Sequence, residues 1–223
     1  MSLDPNPLNN KGFHPVPGWS ILLFLALLPA IVFLALRLWP DRAMLSVMGV
    51  VFASAVAASA LAVAPLGRSA PSALALRPVG WRPLVFGALG TLGVSVAVSQ
   101  IGIEPQGIKD AIKIALAPGR LGMSLLLLGV VAPLAEELVF RGLLYGWIEG
   151  RWGGRPALIV SSLAFAAAHY EPAHILLVLP LGFLFGWLRL HTGSLVTSLV
   201  AHAANNSFAV AAAAALSGQA PTA

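Results

Sequence analysis

The 223-residue sequence has no cysteine and few charged residues. Without a thiol, disulfides, thiolate metal sites and a cysteine nucleophile are all excluded. Charged residues make up 9% of the chain, whereas ordinary soluble domains contain about 25%. Hydrophobic residues reach 58%, so too little polar surface remains to cover a water-soluble globule of this size. A soluble enzyme, a disordered chain and a nucleic-acid module are therefore excluded.

The charge balance is basic, with 13 lysine and arginine residues against 8 acidic residues. The basic residues are scattered singly and form no run. This pattern is typical of loops that flank membrane spans, so the lipid bilayer is the predicted partner and nucleic acid is not. The bias toward alanine, glycine, proline and arginine favours a bacterial source. The sequence thus predicts an integral protein of a bacterial cytoplasmic membrane.

Seven apolar segments approach the length of about 20 residues that a helix needs to cross a bilayer. The predicted fold is an all-α transmembrane bundle of seven or eight helices around an intramembrane cavity. It comprises a loose N-terminal segment 1–18, a single transmembrane domain 19–216 and a frayed C-terminus 217–223. The predicted spans are Trp19–Trp39, Ala43–Leu66, Trp81–Ile103, Leu121–Ile148, Pro156–His169, His174–Leu190 and Ser194–Leu216. The mixed segment Glu104–Gly119 predicts an amphipathic helix on the membrane surface.

Charges inside the fourth span are functional candidates, because a charge at membrane depth is tolerated only when it is paired or faces a cavity. Glu137 and Arg141 are four residues apart and predict an ion pair on one helix face. Glu136 is rotated by about 100° and needs a different partner. Pro133 cannot donate a backbone hydrogen bond, which frees the carbonyl of Gly129 and predicts a local opening of the helix.

Two later spans carry histidine and asparagine. His169 shares a helix face with Phe165, although a lone histidine at a helix end is otherwise an interfacial residue. His202 and Asn206 present two polar groups to one side of the last span, where a structural hydrogen bond between helices is the alternative. The adjacent Asn205 is predicted to face away from them.

The depths of these residues in the membrane agree. Depth is counted at 1.5 Å per residue from loops on one side of the membrane, which places Glu136 about 20 Å deep and His169 about 21 Å deep. The same count places Asn206 about 20 Å deep and His202 about 14 Å deep. Three helices therefore bring their polar residues to one level, which predicts a shared intramembrane site.

A glutamate, two histidines and an asparagine can hydrolyse a peptide bond without a serine or cysteine nucleophile. A carboxylate beside a histidine can act as a general base on water. A second histidine and an asparagine can hold the oxyanion that forms when this water attacks a carbonyl. Alternatively, Glu136, His169 and His202 could bind Zn²⁺ with water as the fourth ligand. The H-E-x-x-H zinc motif is absent.

Three motifs occur in order on successive spans: Glu136-Glu137-x-x-x-Arg141, Phe165-x-x-x-His169 and His202-x-x-x-Asn206. Together they resemble the CPBP family of CAAX proteases and bacteriocin-processing enzymes, also called the Abi family, which includes the type II CAAX prenyl endopeptidases. The resemblance covers the region from Leu121 to Leu216. It implies an intramembrane endopeptidase with a cavity that opens to one side of the membrane.

The resemblance also implies roles for individual residues. Glu136 and His169 would activate the water, and His202 and Asn206 would stabilise the oxyanion. Glu137, Arg141 and Phe165 would support these groups. The expected substrate is a membrane-associated or lipidated peptide or protein, cleaved by a glutamate mechanism that needs no cofactor.

Two other functions share these features. Intramembrane glutamate and histidine residues also form proton relays, so a proton-coupled transporter is one alternative. A catalytically silent immunity or scaffold protein on the same fold is the other. The sequence specifies neither the identity of the substrate nor the oligomeric state.

Overall fold

The computed structural model describes residues 14–39, 41 and 43–218. These residues form helices and connecting turns, with no β-strand among them. The helices are α1 (Gly18–Leu38), α2 (Met44–Val63), α3 (Ala70–Ala73), α4 (Trp81–Ser99), α5 (Gln106–Ala115), α6 (Leu121–Trp152), α7 (Gly154–Ala167), α8 (Pro172–Thr192) and α9 (Leu195–Leu216). A 3₁₀ segment, Ala64–Ser69, links α2 to α3.

Within the described ranges, six helices are long and apolar enough to cross a membrane: α1, α2 with its continuation, α4, α6, α8 and α9. The predicted helical transmembrane bundle is therefore confirmed. The fifth predicted span is the shorter helix α7, which has 14 residues. At 1.5 Å per residue α7 extends about 21 Å, less than the bilayer core of about 30 Å. Helix α7 alone is therefore too short to cross the bilayer, and His169 follows its C-terminal end.

The predicted loose segment 1–18 and frayed segment 217–223 fall largely on residues outside the described ranges, namely 1–13 and 219–223. Between residues 14 and 18 the chain is exposed at His14 and Pro15 and becomes partly or fully buried from Val16 onward. Val16 is fully buried and belongs to an apolar cluster that includes Phe24 of α1 and Leu143 of α6. This cluster holds the entry to α1 against the helix that carries the acidic motif.

Two π-helical segments interrupt α6, at Leu127–Val131 and Leu138–Leu144. They flank the short α-helical stretch Ala132–Glu137, where Pro133 has no N–H to donate to the preceding turn. The carbonyl of Gly129 instead accepts the hydroxyl of Ser207 from α9 at 3.4 Å. The local opening predicted from the proline is therefore confirmed, and π-helical turns of this kind are common at functional sites.

Small residues bring α8 close to α7. A Cβ added at Gly182 would lie 3.0 Å from the Phe165 ring, and one at Gly186 would lie 2.9 Å from the Ser162 hydroxyl. The close approach lets the Gly182 carbonyl accept two buried donors, the Ser162 hydroxyl at 2.9 Å and the Arg141 guanidinium at 2.8 Å. These contacts fix α6, α7 and α8 relative to one another.

Replacing Gly129 with alanine is expected to destabilise the bundle, because the new Cβ would lie 2.5 Å from Ser207 Oγ and 3.2 Å from Ser207 Cα. Overpacking of this kind costs about 1–3 kcal/mol. Gly122→Ala is the matched control, since a Cβ at Gly122 in the same helix meets no atom within 4 Å. The measurement is thermal unfolding in detergent, and equal stability of the two variants would contradict the assigned α6–α9 contact.

Candidate active site

A cavity of about 470 Å³ lies between α6, α8 and α9, with α2, α4 and α5 completing its wall. Most of the wall is apolar. Its ionisable and carboxamide side chains are Glu136, His169, His174, His202, Asn205 and Asn206. The four residues that the sequence predicts to form a site, Glu136, His169, His202 and Asn206, therefore face one cavity from three different segments of the chain.

The two adjacent glutamates have different surroundings. Glu137 is fully buried, and its Oε1 accepts from Arg141 Nη1 and from His202 Nδ1, both at 3.1 Å. The predicted ion pair between Glu137 and Arg141 is thus present. The Glu136 side chain is 22% exposed, and its Oε2 lies 3.6 Å from His202 Nε2. Glu136 is therefore the carboxylate that can reach a water molecule or a substrate in the cavity.

Arg141 is fully buried and joins three helices. Besides pairing with Glu137 in its own helix, it donates from Nη2 to the Gly182 carbonyl of α8 at 2.8 Å. Its guanidinium carbon lies 4.4 Å from the centre of the Phe165 ring of α7, which is a cation–π distance. Arg141 thereby neutralises the buried Glu137 and fixes α6, α7 and α8 relative to one another.

His169 follows the last turn of α7, and its Nδ1 lies 3.0 Å from the Phe165 carbonyl. A carbonyl oxygen only accepts hydrogen bonds, so Nδ1 carries the proton. In the neutral ring Nε2 is then the free acceptor, as a general base requires. The ring also meets the Phe165 ring edge-on, with centroids 5.1 Å apart. Phe165 therefore fixes both the tautomer and the orientation of His169.

His202 and Asn206 are one helical turn apart on α9 and are anchored separately. The His202 ring is stacked on Phe185 with centroids 4.5 Å apart, and its two nitrogens lie near the two glutamate carboxylates described above. The carboxamide of Asn206 donates from Nδ2 to the Leu128 carbonyl at 3.2 Å. The carbonyl group of Leu128 belongs to the first π-helical segment of α6. The second N–H of this amide is left for another acceptor.

The orientation predicted for Asn205 is wrong. Asn205 lines the same cavity, is only 7% exposed, and donates from Nδ2 to Asn206 Oδ1 at 3.3 Å. Successive residues of a helix point about 100° apart. The cavity borders a wider part of the α9 surface than this, so both carboxamides face it. The hydrogen bond leaves Asn206 with its carbonyl oxygen occupied and its N–H groups directed elsewhere.

The sequence interpretation gave no role to His174, which lies in the first turn of α8 and lines the cavity. Its ring centre is 4.5 Å from that of His169, in an edge-on arrangement. The sequence did contain a signal for this position. His174 follows His169 by only five residues, and so short a connection keeps the end of α7 close to the start of α8. The two imidazoles therefore stand side by side on the cavity wall.

A metal site requires several ligand side chains whose donor atoms point at one position. In the part of the chain that the structure describes, no group of three or more histidine, aspartate and glutamate side chains is arranged to hold a metal ion. Glu136, His169 and His202, the zinc ligands considered from the sequence, share the cavity wall without forming such a group.

The segment that carries these residues matches a known family. Residues 118–208 match the family described as Type II CAAX prenyl endopeptidase Rce1-like, and this range contains all three motifs. The resemblance inferred from the motifs is thereby confirmed. Across this segment the chain is similar to the type II CAAX prenyl endopeptidases.

Curated bacterial proteins show the same relationship. The chain is 31% identical over 81 residues to YdiL of Bacillus subtilis, named as a membrane peptidase, with 36% of the chain and 33% of YdiL covered. It is 32% identical over 83 residues to UPF0177 protein YxdF of Lactococcus lactis, covering 37% and 45%. It is 27% identical over 123 residues to the Membrane-embedded CAAX protease MroQ of Staphylococcus aureus, covering 52% and 50%.

The matched regions span about a third to a half of the length of these relatives. No solved structure gives a significant match to the chain. The six long apolar helices and the relatives named as membrane proteases together identify the chain as an integral membrane protein.

Proposed function

We propose that this protein is an intramembrane endopeptidase that cleaves a membrane-associated or lipidated peptide with a water molecule activated by Glu136 and His169. The observation that carries the proposal is the convergence of these two residues with His202 and Asn206 on one cavity. The match of residues 118–208 to the CAAX endopeptidase family supports the same reaction.

In the proposed first step, Glu136 takes a proton from water as the water oxygen attacks the peptide carbonyl carbon. Glu136 suits this role because its carboxylate is partly exposed, whereas Glu137 is fully buried and bonded to Arg141 and His202. His169 would accept a second hydrogen bond from the same water at Nε2, since its Nδ1 donates to the Phe165 carbonyl. Two acceptors would then orient one lone pair of the water toward the carbonyl.

In the proposed second step, His202 and Asn206 stabilise the negative charge on the carbonyl oxygen. Asn206 offers the N–H that its bond to the Leu128 carbonyl leaves free, and His202 offers Nε2 when the ring carries both protons. The C–N bond then breaks, and the proton held by Glu136 passes to the leaving amine. The products are a carboxylic acid, which keeps the second proton of the water, and an amine, and Glu136 returns to its starting state.

The cavity wall supports an apolar substrate. Apart from the polar groups named above, it is formed largely by aliphatic and aromatic side chains of α2, α4, α5 and α8, such as Phe52, Val98, Ile108 and Leu177. A lipid chain or a hydrophobic peptide would lose unfavourable contact with water there. We infer that the substrate reaches the site from the bilayer of a bacterial cytoplasmic membrane.

The test of this function is cleavage by the purified protein in liposomes. A library of lipidated peptides and the same peptides without lipid would be incubated with it, and the products identified by mass spectrometry. We expect paired products from a single bond, with lipidated peptides cleaved faster. Intact peptides alongside a folded protein would contradict the proposal, and proton flux across the liposomes without cleavage would identify a transporter instead.

We expect cleavage to continue when divalent metals are removed, because the proposed base and oxyanion donors are all side chains of the chain. The measurement is the initial cleavage rate before and after prolonged treatment with a zinc chelator. Loss of activity that returns on adding Zn²⁺ would contradict the glutamate mechanism. An inert chelator analogue controls for effects on the lipid.

A further inference from the structure

Helix α5 forms part of the cavity wall. Its apolar face lines the cavity through Ile108, Ala111, Ile112 and Ala115. The opposite face carries the exposed residues Lys109, Asp110 and Lys113. This arrangement agrees with the amphipathic helix predicted from the sequence, but the apolar face covers the proposed substrate cavity. The position of α5 therefore sets the width of the site.

The N-terminus of α5 is held by a residue from a distant part of the chain. Glu171, between α7 and α8, accepts the Gln106 N–H at Oε1 (2.7 Å) and the Gly107 N–H at Oε2 (3.0 Å). These first-turn amides have no partner within the helix, and a negative charge there also interacts favourably with the helix dipole. Pro105, which precedes the helix, supplies no side-chain cap of its own. The carboxylate thus replaces the missing cap.

The same connection carries His169, the second acceptor for the proposed catalytic water. Glu171 lies two residues after His169, and its backbone N–H donates to the His169 carbonyl at 2.6 Å. This three-residue turn is centred on Tyr170, which has a φ of +60° and a side chain that is 88% exposed. Positive φ at a residue with a side chain is strained and must be held by surrounding contacts. The two bonds from Glu171 to α5 are such contacts.

Glycine turns join α5 to its neighbours at both ends. Gly102 and Gly119 each have a φ of +73°, a conformation that glycine adopts without steric cost. A Cβ added at either position would meet no atom within 4 Å, so neither glycine is packed against the rest of the bundle. The attachment at Glu171 is therefore the polar contact that fixes the N-terminal end of α5 over the cavity.

We propose that Glu171 is a positioning residue that couples the wall of the substrate cavity to His169: it holds α5 over the cavity and holds the turn that directs His169 inward. Its catalytic consequence rests on the proposed function, whereas its effect on α5 does not. Substrate enters when α5 moves away from Glu171, and closure restores both bonds.

The effect on α5 is measured with a cysteine reporter, since the chain has no cysteine of its own. Ala111→Cys places a thiol on the cavity face of α5, and its reaction with a bulky maleimide is followed in the full-length protein. The Glu171 carboxylate is accessible to solvent, so the loss of one hydrogen bond of ordinary strength predicts that Glu171→Gln increases the labelling rate about three- to tenfold. Glu171→Ala, which removes both acceptor oxygens, should increase it further.

Glu104→Gln is the matched control, because it removes an equal charge from the same end of α5. Glu104 pairs with Lys109 at 3.1 Å on the surface and is 76% exposed. We expect no change in labelling of the reporter in this variant. A second reporter, Ala157→Cys, lies at a fully buried position in α7 and should remain unreactive in every background. Labelling of both reporters in Glu171→Gln would indicate general unfolding and would overturn the proposal.

The pH dependence of labelling has a defined sign. Bonds from the Gly107 and Gln106 amides hold the pKa of Glu171 below its ordinary value. The attachment is therefore complete above the ordinary carboxyl range and is lost as the pH falls through the lowered value. The groups facing Glu171 are Lys109 of α5 and His174 of α8. Protonation of His174 would add a favourable positive charge to this end of α5. The labelling ratio of Glu171→Gln to the wild type, measured at the same pH, should therefore stay constant between about pH 6 and 8, because the change in thiolate fraction is common to both proteins.

Cleavage kinetics separate this proposal from the proposed function. With a peptide that the wild-type protein cleaves, we expect Glu171→Gln to raise KM more than it lowers kcat, because α5 no longer closes on the apolar chain. If Glu171→Gln increases labelling of the α5 reporter but the wild-type protein cleaves no peptide, the attachment of α5 by Glu171 is supported and the peptidase function is rejected. Equal labelling in the wild type, Glu171→Gln and Glu104→Gln would reject the attachment, whatever the activity.

Discussion

Replacing Glu136 with glutamine is expected to lower kcat/KM for peptide cleavage by about 10²- to 10⁴-fold, the usual contribution of a general base. The amide has nearly the same shape as the carboxylate but cannot take a proton from water. His169→Ala should cause a loss of similar size, since it removes the second acceptor for that water. The measurement is the cleavage rate of the purified variants at equal protein concentration.

Glu104→Gln provides the chemically matched control, because its exposed carboxylate lies on the surface, and it should cleave at the wild-type rate. Each variant would first be compared with the wild type by thermal unfolding, so that loss of activity is not confused with loss of fold. A folded Glu136→Gln protein with near wild-type activity would remove Glu136 from the mechanism.

Replacing Arg141 with methionine is expected to destabilise the protein by about 3–5 kcal/mol, the usual cost of leaving a buried charge without its partner. Glu137 is fully buried and would lose its bond to Arg141, and the Gly182 carbonyl would lose a donor. Arg155→Met is the control, because Arg155 is exposed and should tolerate the change. The measurement is thermal unfolding in detergent.

A double substitution tests the cause of this destabilisation. Glu137→Leu combined with Arg141→Met removes both buried charges, and such replacements recover stability when the apolar side chains fit. We expect the double variant to unfold at a higher temperature than Arg141→Met alone. If Arg141→Met and Arg155→Met unfold at the same temperature, the ion pair is not holding α6, α7 and α8 together.

The transmembrane helices and the amphipathic α5 could be predicted from sequence because both depend on local hydrophobic pattern. A long apolar run needs little knowledge of its neighbours, since a helix satisfies its own backbone in lipid. The ion pair between Glu137 and Arg141 was predictable for the same reason, because it lies within one helical turn. Pro133 was informative because a proline has no N–H, so the carbonyl four residues before it loses its helical donor in any fold.

Features that depend on how helices meet could not be predicted in this way. The orientation of Asn205 depends on the width of the cavity, which ideal helix geometry does not contain. The contact of Glu171 with Gln106 joins residues 65 positions apart and requires the fold to be known. The short turn after α7 places His174 near His169, but the direction of the His174 side chain depends on the angle at which α8 begins. The catalytic roles themselves remain predictions that kinetics must test.

The most direct test of the central claim compares the double variant Glu136→Gln/His169→Ala with its two single variants. If both residues act on one water molecule, removing the second after the first costs little more, because groups that act as a unit are strongly non-additive. We predict that the double variant retains the residual cleavage rate of the slower single variant. A double variant whose loss equals the product of the two single losses would contradict a shared site.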